Sequence, residues 1–225
     1  MRIAELFHSI QGEGKYAGTP SVFVRTTGCN LRCWFCDTPY TSWKPEGSIA
    51  DWRSIADRAL GYECEHVVIT GGEPLLQPEV VPLTQMLRDA GRFVSIETAG
   101  TVFRPVAANL MSISPKLSNS APRDEKRRGR HEAARDRHAT IARLMDEYDY
   151  QLKFVVDCPD DLHEIDEYVS RHANIVAENV YLMPQATTAL ELEEKTPWLT
   201  EAAASRGWKV SPRLHIEWYG NVRGK

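Results

Sequence analysis

Three cysteines stand close together near the start of the chain. Cys29, Cys33 and Cys36 lie in the stretch TTGCNLRCWFCDTPY, whereas the other two cysteines of the 225-residue sequence, Cys64 and Cys158, stand alone. The odd total argues against a complete set of disulfides, and the first residues lack the order of a secretory signal. In a reducing compartment, clustered thiols are more often metal ligands or catalysts than disulfides. We therefore expect a cytoplasmic protein in which this cluster is a reactive or metal-binding site.

The spacing C-x3-C-x2-C indicates what the thiols could bind. Such spacing lets a short loop wrap around one inorganic centre, and thiolates are the usual ligands of iron–sulfur clusters. Three ligands on a [4Fe-4S] cluster keep one iron open, and an open position distinguishes a reactive metal site from a structural one. The alternatives are a zinc site completed by a histidine, and core thiols without metal. Zinc sites usually have a second, distant C-x2-C pair, which this sequence lacks.

Composition and charge describe an ordinary globular protein. Hydrophobic residues make up 42% of the chain and charged residues 26%, which is enough apolar material for a sizeable core. The formal net charge is −4 and no apolar run approaches ~18 residues, so neither nucleic acid nor a membrane is expected as a partner. Residues 123–138, RDEKRRGRHEAARDRH, are locally basic, and we interpret them as a solvated helix start or a mobile loop.

Strand and helix patterns alternate along the chain. Apolar or β-branched runs predict strands at residues 21–28, 66–70, 92–98, 110–116, 150–156 and 180–185. Apolar residues at helical spacing predict helices between them, the first over 48–60 with Ser48 as a candidate cap. Such alternation is typical of parallel βαβ units. About six units fall short of the eight in a closed barrel, so we predict one α/β domain, residues 1–225, with a parallel sheet in an open, partial (β/α)6 barrel.

The most unusual stretches all follow predicted strands. TTGCNLRCWFC follows the first strand, TGGEP the second, ETAGT the third and SPK the fourth. Any one of them could be an ordinary turn marked by glycine or proline. In parallel α/β folds, however, the loops at the C-terminal ends of the strands build the active site. Together the four stretches predict one site at the mouth of the barrel.

These motifs resemble those of the radical S-adenosylmethionine (SAM) superfamily. The resemblance rests on C-x3-C-x2-C, with Phe35 before the last cysteine and TGGEP after the next strand. Narrower matches are similar to the 7-carboxy-7-deazaguanine synthase family: SIQGEG (9–14), Arg25, CDTPY (36–40), SPK (114–116) and QLKF (151–154). The resemblance runs from residue 9 to about 185, and the basic segment matches no motif.

The resemblance implies a radical SAM carbon–nitrogen lyase of 7-deazapurine, queuosine-type biosynthesis. Such a lyase converts 6-carboxy-5,6,7,8-tetrahydropterin to 7-carboxy-7-deazaguanine with loss of ammonia. The implied cofactors are SAM, Mg²⁺ and a [4Fe-4S] cluster on Cys29, Cys33 and Cys36. The implied partners, besides the small-molecule substrate, are a reductant such as flavodoxin or ferredoxin and a second copy of the chain in a homodimer.

The resemblance also assigns residues to the ligands. SAM would be bound by Gly71, Gly72, Glu73, Ser114, Pro115, Lys116, Gln151, Leu152, Lys153 and Phe154. Glycines let the backbone approach the methionine moiety, and a glutamate suits its ammonium group. The substrate would be bound by Ile10, Gln11, Gly12, Glu13, Arg25 and Thr70. A carboxylate and an amide can match the edge of a pterin, and an arginine can bind the substrate carboxylate bidentately.

Thr38 is implied as the magnesium ligand. It lies two residues after the last cysteine of the cluster. A hydroxyl oxygen is a hard donor suited to a hard cation. On the sequence alone, the same hydroxyl could instead cap the turn that follows.

Two other classes of function remain open on the sequence. A radical SAM activase acting on a partner protein would share the cysteine loop, but it would need a docking surface rather than SIQGEG and Thr38. A non-enzymatic Fe-S or zinc module could use the basic segment to hold RNA, and it would not cleave SAM.

Overall fold

A nine-stranded sheet forms the centre of the protein. The structure is a computed structural model, and it describes residues 1–224. The strands are β1 (Arg2–Ile10), β2 (Pro20–Thr26), β3 (Ser48–Ile49), β4 (His66–Gly71), β5 (Phe93–Thr98), β6 (Leu110–Ile113), β7 (Tyr150–Val156), β8 (Val180–Pro184) and β9 (Lys209–Val210). Their order across the sheet is β3-β1-β2-β4-β5-β6-β7-β8-β9.

The parallel part of the sheet confirms the predicted open, partial barrel. All neighbours from β2 to β9 pair in parallel, whereas β1 pairs antiparallel with β2 and β3. The six longer parallel strands are the six that the sequence predicts. Within the described residues β3 and β9 lie at opposite edges of the sheet, which therefore stays open.

Helices connect the parallel strands and cover the sheet. They are α1 (Pro39–Ser42), α2 (Trp52–Leu60), α3 (Val80–Asp89), α4 (Glu125–Arg135), α5 (His138–Glu147), α6 (Asp161–Ser170), α7 (Ala189–Ala204) and α8 (Leu214–Tyr219). Apolar side chains of α2, α3, α5, α6 and α7 join those of the strands in one core. None of the described helices is both long and apolar enough to cross a membrane.

The helix predicted over residues 48–60 corresponds to α2, which begins later, at Trp52. Residues 48–49 form β3, which pairs with Arg2 and Ile3 of β1, so Ser48 is not a helix cap. The cap of α2 is Asp51, whose carboxylate accepts a hydrogen bond from Arg53 N at 2.7 Å. Pairing with a distant strand thus overrides the local capping signal.

The basic segment 123–138 is helical rather than a loop. It forms α4 and the start of α5, and the carboxylate of Asp124 caps α4 by accepting from Lys126 N at 3.0 Å. His131 is the buried residue of α4, and the rest of that helix is exposed or half-buried. The interpretation as a solvated helix start is the one that agrees with the structure.

Sequence patterns missed both ends of the chain. β1 pairs antiparallel with β2 and ends with Ile10 opposite Pro20, the first residue of β2, so the SIQGEG motif leaves the sheet beside the N-terminal end of that strand. β9 and α8 follow the last predicted helix, and Leu214 N donates to Gly12 O at 3.0 Å. The C-terminal segment therefore packs against the SIQGEG motif, and residues of both line one cavity.

Candidate active site

The loop after β2 carries the three cysteines. Most of its residues have neither helical nor strand hydrogen bonding, and side chains hold its backbone instead. Arg32 Nη1 donates to Cys29 O at 2.7 Å, and Trp43 Nε1 donates to Cys33 O at 2.9 Å. The shape of this loop is therefore set by its neighbours rather than by a repeating backbone pattern.

The three thiols face one cavity of about 300 Å³ at the mouth of the barrel. All three are free, and burial raises the pKa of Cys29 to about 11 and that of Cys33 to about 12. The ammonium group of Lys116 opposes the effect of burial at Cys33. Without a metal these two thiols stay protonated at neutral pH, and metal coordination would displace the protons.

The donor set fits an iron–sulfur cluster. Among residues 1–224, no three His, Cys, Asp or Glu side chains come close enough together to hold a single metal ion. Soft thiolates from one loop are the ligands that iron–sulfur clusters use, and each cysteine of a cluster binds a different iron. A cluster therefore does not require the thiols to converge on one point.

Two glycines bring the next loop against the cysteine loop. Gly71 ends β4 with φ of 125°, and a side chain there would collide with the backbone of Thr26. A side chain on Gly72 would collide with the carbonyl of Gly28, the residue before Cys29. The Gly28 carbonyl accepts from Glu73 N at 2.9 Å, so the glycine pair allows the two loops to be joined directly.

We expect Gly72→Ala to cost about 1–3 kcal/mol of unfolding free energy, because the new methyl group overpacks a backbone contact. Displacement of Gly28 should also lower the iron retained after anaerobic reconstitution. Gly129→Ala is the matched control, since nothing lies within 4 Å of the added methyl group. Denaturant unfolding and iron analysis measure both effects, and a Gly72→Ala protein as stable as the Gly129→Ala protein would contradict the close approach.

Glu73 joins two loops. Its side chain is fully buried, and its carboxylate accepts from Leu75 N at 3.1 Å, from Thr98 Oγ1 at 2.8 Å and from Ala99 N at 2.9 Å. Burial raises its pKa, and these hydrogen bonds act in the opposite direction. The structure therefore does not bring the Glu73 side chain to the cavity wall, and its predicted contact with SAM stays a prediction.

The SPK motif divides between two cavities. Ser114 and Lys116 line the main cavity, and Lys116 Nζ donates to Ser114 O at 2.7 Å and to Ser114 Oγ at 2.6 Å. Pro115 and Lys116 line a neighbouring cavity of about 240 Å³ between α6 and the connection from α4 to α5. Burial lowers the pKa of Lys116.

The strand QLKF places its side chains on alternating faces. Leu152 and Phe154 are fully buried in the core, on the face away from the cavity. Gln151 and Lys153 point to the other face, where Gln151 donates to Ser112 Oγ at 2.8 Å and Lys153 reaches the cavity. The period of two in a strand thus brings the Lys153 side chain, but not those of Leu152 and Phe154, to the site.

The carboxylate of Glu13 lies among three basic side chains. Lys153 Nζ donates to it, Arg213 Nε lies 3.4 Å away, and His215 Nε2 lies 3.8 Å away. Burial would raise the pKa of Glu13, but the charges of Lys153, Arg213 and His215 outweigh burial and hold the pKa well below its usual value. Glu13 is therefore a half-buried, ionised hydrogen-bond acceptor at the cavity wall.

A second carboxylate, Glu97, completes the polar end of the cavity. It accepts from Gln11 Nε2 at 3.2 Å and from Thr70 Oγ1 at 2.7 Å, and Lys153 Nζ lies 4.0 Å away. The amide oxygen of Gln11 accepts from Glu13 N at 3.1 Å. The predicted residues Gln11, Glu13 and Thr70 thus form one network, which Ile10 and Gly12 flank along the cavity wall.

Arg25 is held in place at the same cavity. Its Nε lies 2.8 Å from Glu5 Oε2, and its guanidinium carbon lies 5.5 Å from the centre of the Phe7 ring. Tyr40 OH donates to the same Glu5 oxygen at 2.8 Å, and Arg223 Nε donates to the other oxygen at 2.7 Å. Glu5 therefore orients Arg25 from outside the site.

Five acidic or basic residues that line the cavity were not predicted from the sequence: Asp37, Glu97, Arg213, His215 and Arg223. Glu97 lies in the ETAGT stretch, so its position at the end of a predicted strand was the available signal. Arg213 is buried and donates to Asp37 Oδ2 at 2.5 Å, 176 positions away along the chain. No local pattern could have identified that pair.

Comparison with known proteins identifies the class. Residues 23–146 match the Radical SAM superfamily, to which the chain therefore belongs. A 7-carboxy-7-deazaguanine synthase from Rhodopirellula baltica is 48% identical over 99% of this chain and 88% of its own length. The same enzyme from Halobacterium salinarum is 45% identical over 95% of this chain and 88% of its own length. The crystal structure of QueE from Escherichia coli covers 93% of this chain and 92% of that chain, with 27% identity and a TM-score of 0.70.

Within that superfamily, the chain is a member of the 7-carboxy-7-deazaguanine synthase family. The membership confirms the prediction of a radical SAM enzyme of 7-deazapurine biosynthesis, with a [4Fe-4S] cluster and SAM as cofactors. Of the three function classes compatible with the sequence, the relatives support the lyase rather than the activase or the RNA-binding module.

Proposed function

We propose that this chain converts 6-carboxy-5,6,7,8-tetrahydropterin to 7-carboxy-7-deazaguanine with loss of ammonia. The observation that carries the proposal is the make-up of one cavity. Its wall has three cysteine thiols at one part, and the ionised Glu13 with Gln11, Glu97 and Arg25 at another. This arrangement supports a reaction in which a redox-active cofactor and a polar heterocycle share one enclosed space.

Separate groups of cavity residues are proposed to bind the iron–sulfur cluster and SAM. We assign Cys29, Cys33 and Cys36 to the cluster. When bound, the cluster supplies the reducing electron for cleavage of SAM. For SAM, the positions of Gly71, Gly72, Ser114 and Lys116 along the cavity support a binding role, because loop backbone groups at the cavity wall and a lysine side chain can bind its polar groups.

The polar end of the cavity supports recognition of a pterin. An ionised Glu13 and the Gln11 amide can accept hydrogen bonds from the amino and ring N–H groups of the substrate. Arg25 can bind the carboxylate that the substrate carries, because a guanidinium group presents two parallel N–H donors. Glu5 fixes the orientation of Arg25 beforehand, which reduces the entropy lost on binding.

The test of the proposed function is a reconstituted assay under anaerobic conditions. The enzyme is incubated with SAM, dithionite and 6-carboxytetrahydropterin, and 7-carboxy-7-deazaguanine is measured by mass spectrometry. Product should form with this substrate and not with tetrahydropterin that lacks the carboxylate. Cleavage of SAM without any 7-carboxy-7-deazaguanine would refute the reaction while leaving the radical SAM class intact.

We also propose that Thr38 would supply an oxygen ligand to Mg²⁺, which would act as a Lewis acid and template for the substrate. Thr38 lines the cavity, and its Oγ1 lies 3.1 Å from Thr41 Oγ1 and 4.0 Å from Cys36 Sγ. Although Thr38 is the residue before α1, its side chain makes no capping hydrogen bond to that helix. Magnesium usually takes one or two oxygen ligands from protein and the rest from water and substrate, so one hydroxyl is enough.

Thr38→Ala should therefore keep its cluster and still cleave SAM without substrate, but lose magnesium-stimulated product formation by at least about tenfold, because a metal template for the substrate is gone. Thr38→Ser is the matched control, since it retains the hydroxyl. The measurement is product formation against magnesium concentration after chelator treatment that leaves the cluster intact. A wild-type magnesium response in Thr38→Ala would remove the metal assignment.

Four further features of this function are proposals as well. They are a homodimer, a cytoplasmic location, a protein reductant such as flavodoxin, and a single catalytic domain spanning residues 1–225. Sedimentation of the reconstituted enzyme tests the first, cell fractionation the second, and limited proteolysis the last. The reductant is taken up below.

A further inference from the structure

A basic surface lies on the helix beside the cysteine loop. Residues 123–130 are all exposed, and they carry five basic and two acidic side chains, a local charge of +3 in a chain whose net charge is −4. We name this the basic surface, formed by Arg123, Lys126, Arg127, Arg128 and Arg130. Its charge opposes that of the whole molecule, so it is a distinct electrostatic feature.

His131 fixes α4 to the cysteine loop. The ring is almost fully buried, and its Nδ1 accepts from Arg32 N, within the loop, at 3.0 Å. Since Nδ1 is the acceptor, the ring hydrogen lies on Nε2, which donates to Ser120 Oγ at 2.9 Å. Ser120 O in turn accepts from Trp34 N at 3.2 Å. The basic surface is thus held rigidly next to the proposed cluster ligands.

An exposed tryptophan of the same loop marks the adjoining surface. Trp34 directly follows Cys33 and is 44% exposed, and its Nε1 donates to Asn119 O at 2.6 Å. The guanidinium carbon of Arg127 lies 5.1 Å from the centre of the Trp43 ring, whose Nε1 donates to Cys33 O. Tryptophan and arginine are the residues most enriched at the energetic centres of protein interfaces.

We propose that the basic surface and Trp34 form the docking site for an acidic electron-donor protein. The inference rests on the proposed function, because a cluster used for reduction must receive its electrons from outside this chain. Opposite charge steers the two proteins together and orients them, and docking at this place would bring the donor next to Cys33. The occupant is a small acidic flavoprotein, for which a purified flavodoxin serves as the probe.

The test compares two triple charge reversals. Lys126→Glu, Arg128→Glu and Arg130→Glu change the basic surface, whereas Arg53→Glu, Arg58→Glu and Arg88→Glu change exposed positions on α2 and α3. Each set takes the net charge from −4 to −10, since three reversals change it by −6. The readouts are the Kd of the reconstituted enzyme for flavodoxin and its salt dependence. SAM cleavage is also measured, driven either by reduced flavodoxin or by dithionite.

We expect the first set to weaken flavodoxin binding by about tenfold or more at low salt and to raise the KM for flavodoxin similarly, with an unchanged dithionite-driven rate. The charge reversals on α2 and α3 should change the Kd and the KM for flavodoxin by no more than about twofold. Equal weakening in both sets would mean a general charge effect and overturn the proposal. A lower dithionite-driven rate in the first set would overturn it too, since the damage would then lie in the cluster loop.

A gel-shift assay with transfer RNA tests whether the basic surface binds nucleic acid instead of an electron-donor protein. Loss of RNA binding in the first set, with flavodoxin binding unchanged, would assign the basic surface to nucleic acid and overturn the proposal. None of these measurements contains the pterin. A failure of the proposed lyase reaction would therefore appear separately, as missing 7-carboxy-7-deazaguanine in the wild-type protein.

Discussion

Replacement of Cys33 by alanine is expected to remove both the [4Fe-4S] cluster and the cleavage of SAM. Cys33 is the most buried of the three cavity thiols, and Trp43 holds its carbonyl in place. Loss of one of three thiolate ligands leaves two irons without a protein ligand, and a cluster held by two cysteines should not survive isolation. Iron and sulfide content should fall by at least about tenfold, and 5'-deoxyadenosine formation to background.

The chain provides its own controls for that experiment. Cys64 is buried with its thiol 3.2 Å from Pro20 O, away from the cavity, and Cys158 is exposed. Alanine at either position should leave the iron content and the SAM cleavage rate within about twofold of wild type, because surface and peripheral thiols contribute little to a distant metal site. Retention of four irons in Cys33→Ala would exclude the cluster assignment.

Glu13→Gln is expected to lower product formation by at least about a hundredfold while leaving the cluster intact. The NH2 group of the glutamine amide would face the N–H groups of the pterin, where the wild-type site has an ionised acceptor. Two donors cannot hydrogen-bond to each other, and loss of a specific hydrogen bond to the substrate lowers the reaction rate strongly. The substitution also leaves Lys153 and Arg213 without their shared anion. Removing one partner of a buried ion pair typically costs about 3–5 kcal/mol, so the unfolding free energy should fall as well.

A double variant separates these two consequences. Glu13→Gln with Lys153→Met removes both charges of the pair, so it should recover part of the lost stability but none of the product formation. Product is measured with excess pterin, SAM cleavage without pterin, and stability by denaturant unfolding. Recovery of product formation in the double variant would show that Glu13 acts only through folding, and the recognition role would then be withdrawn.

The pH dependence of the stability that Glu13 contributes follows from the direction of its pKa shift. Its pKa is lower in the folded protein than in an unfolded chain, because the charges of Lys153, Arg213 and His215 outweigh burial. A group of this kind stabilises the fold above its unfolded pKa, and the stabilisation is lost as the pH falls towards the folded value. The site should therefore keep an ionised Glu13 throughout the neutral range.

Much of the fold could be predicted because its signals are local. The strands at 66–70 and 180–185 agree closely with β4 and β8, since buried parallel strands are continuous apolar runs. The strand at 150–156 agrees with β7 as well, although Gln151 and Lys153 interrupt its apolar run. The failures lie where pairing is distant. β3 is two residues long and exists through its contact with β1, and β1 is largely half-exposed, so neither shows the apolar run of a central strand.

The sequence by itself determined the class of chemistry. Three thiols within eight positions must come close together in any fold, because the chain between them is too short to separate them far. The loops after the parallel strands must likewise meet at one edge of the sheet, since parallel strands all end on the same side. Covalent spacing and strand direction therefore sufficed to place the cysteines, Gly71, Gly72 and Lys116 at one mouth.

The tertiary structure alone decided how the polar end of the cavity is built. Glu13 meets Lys153 across 140 positions and Arg213 across 200, and those contacts depend on sheet register and on the return of the C-terminal segment. Register also turned Lys153 towards the cavity and Leu152 and Phe154 into the core, because neighbouring strand residues face opposite sides. The charges of Lys153, Arg213 and His215 outweigh the opposing effect of burial and keep Glu13 ionised inside the protein.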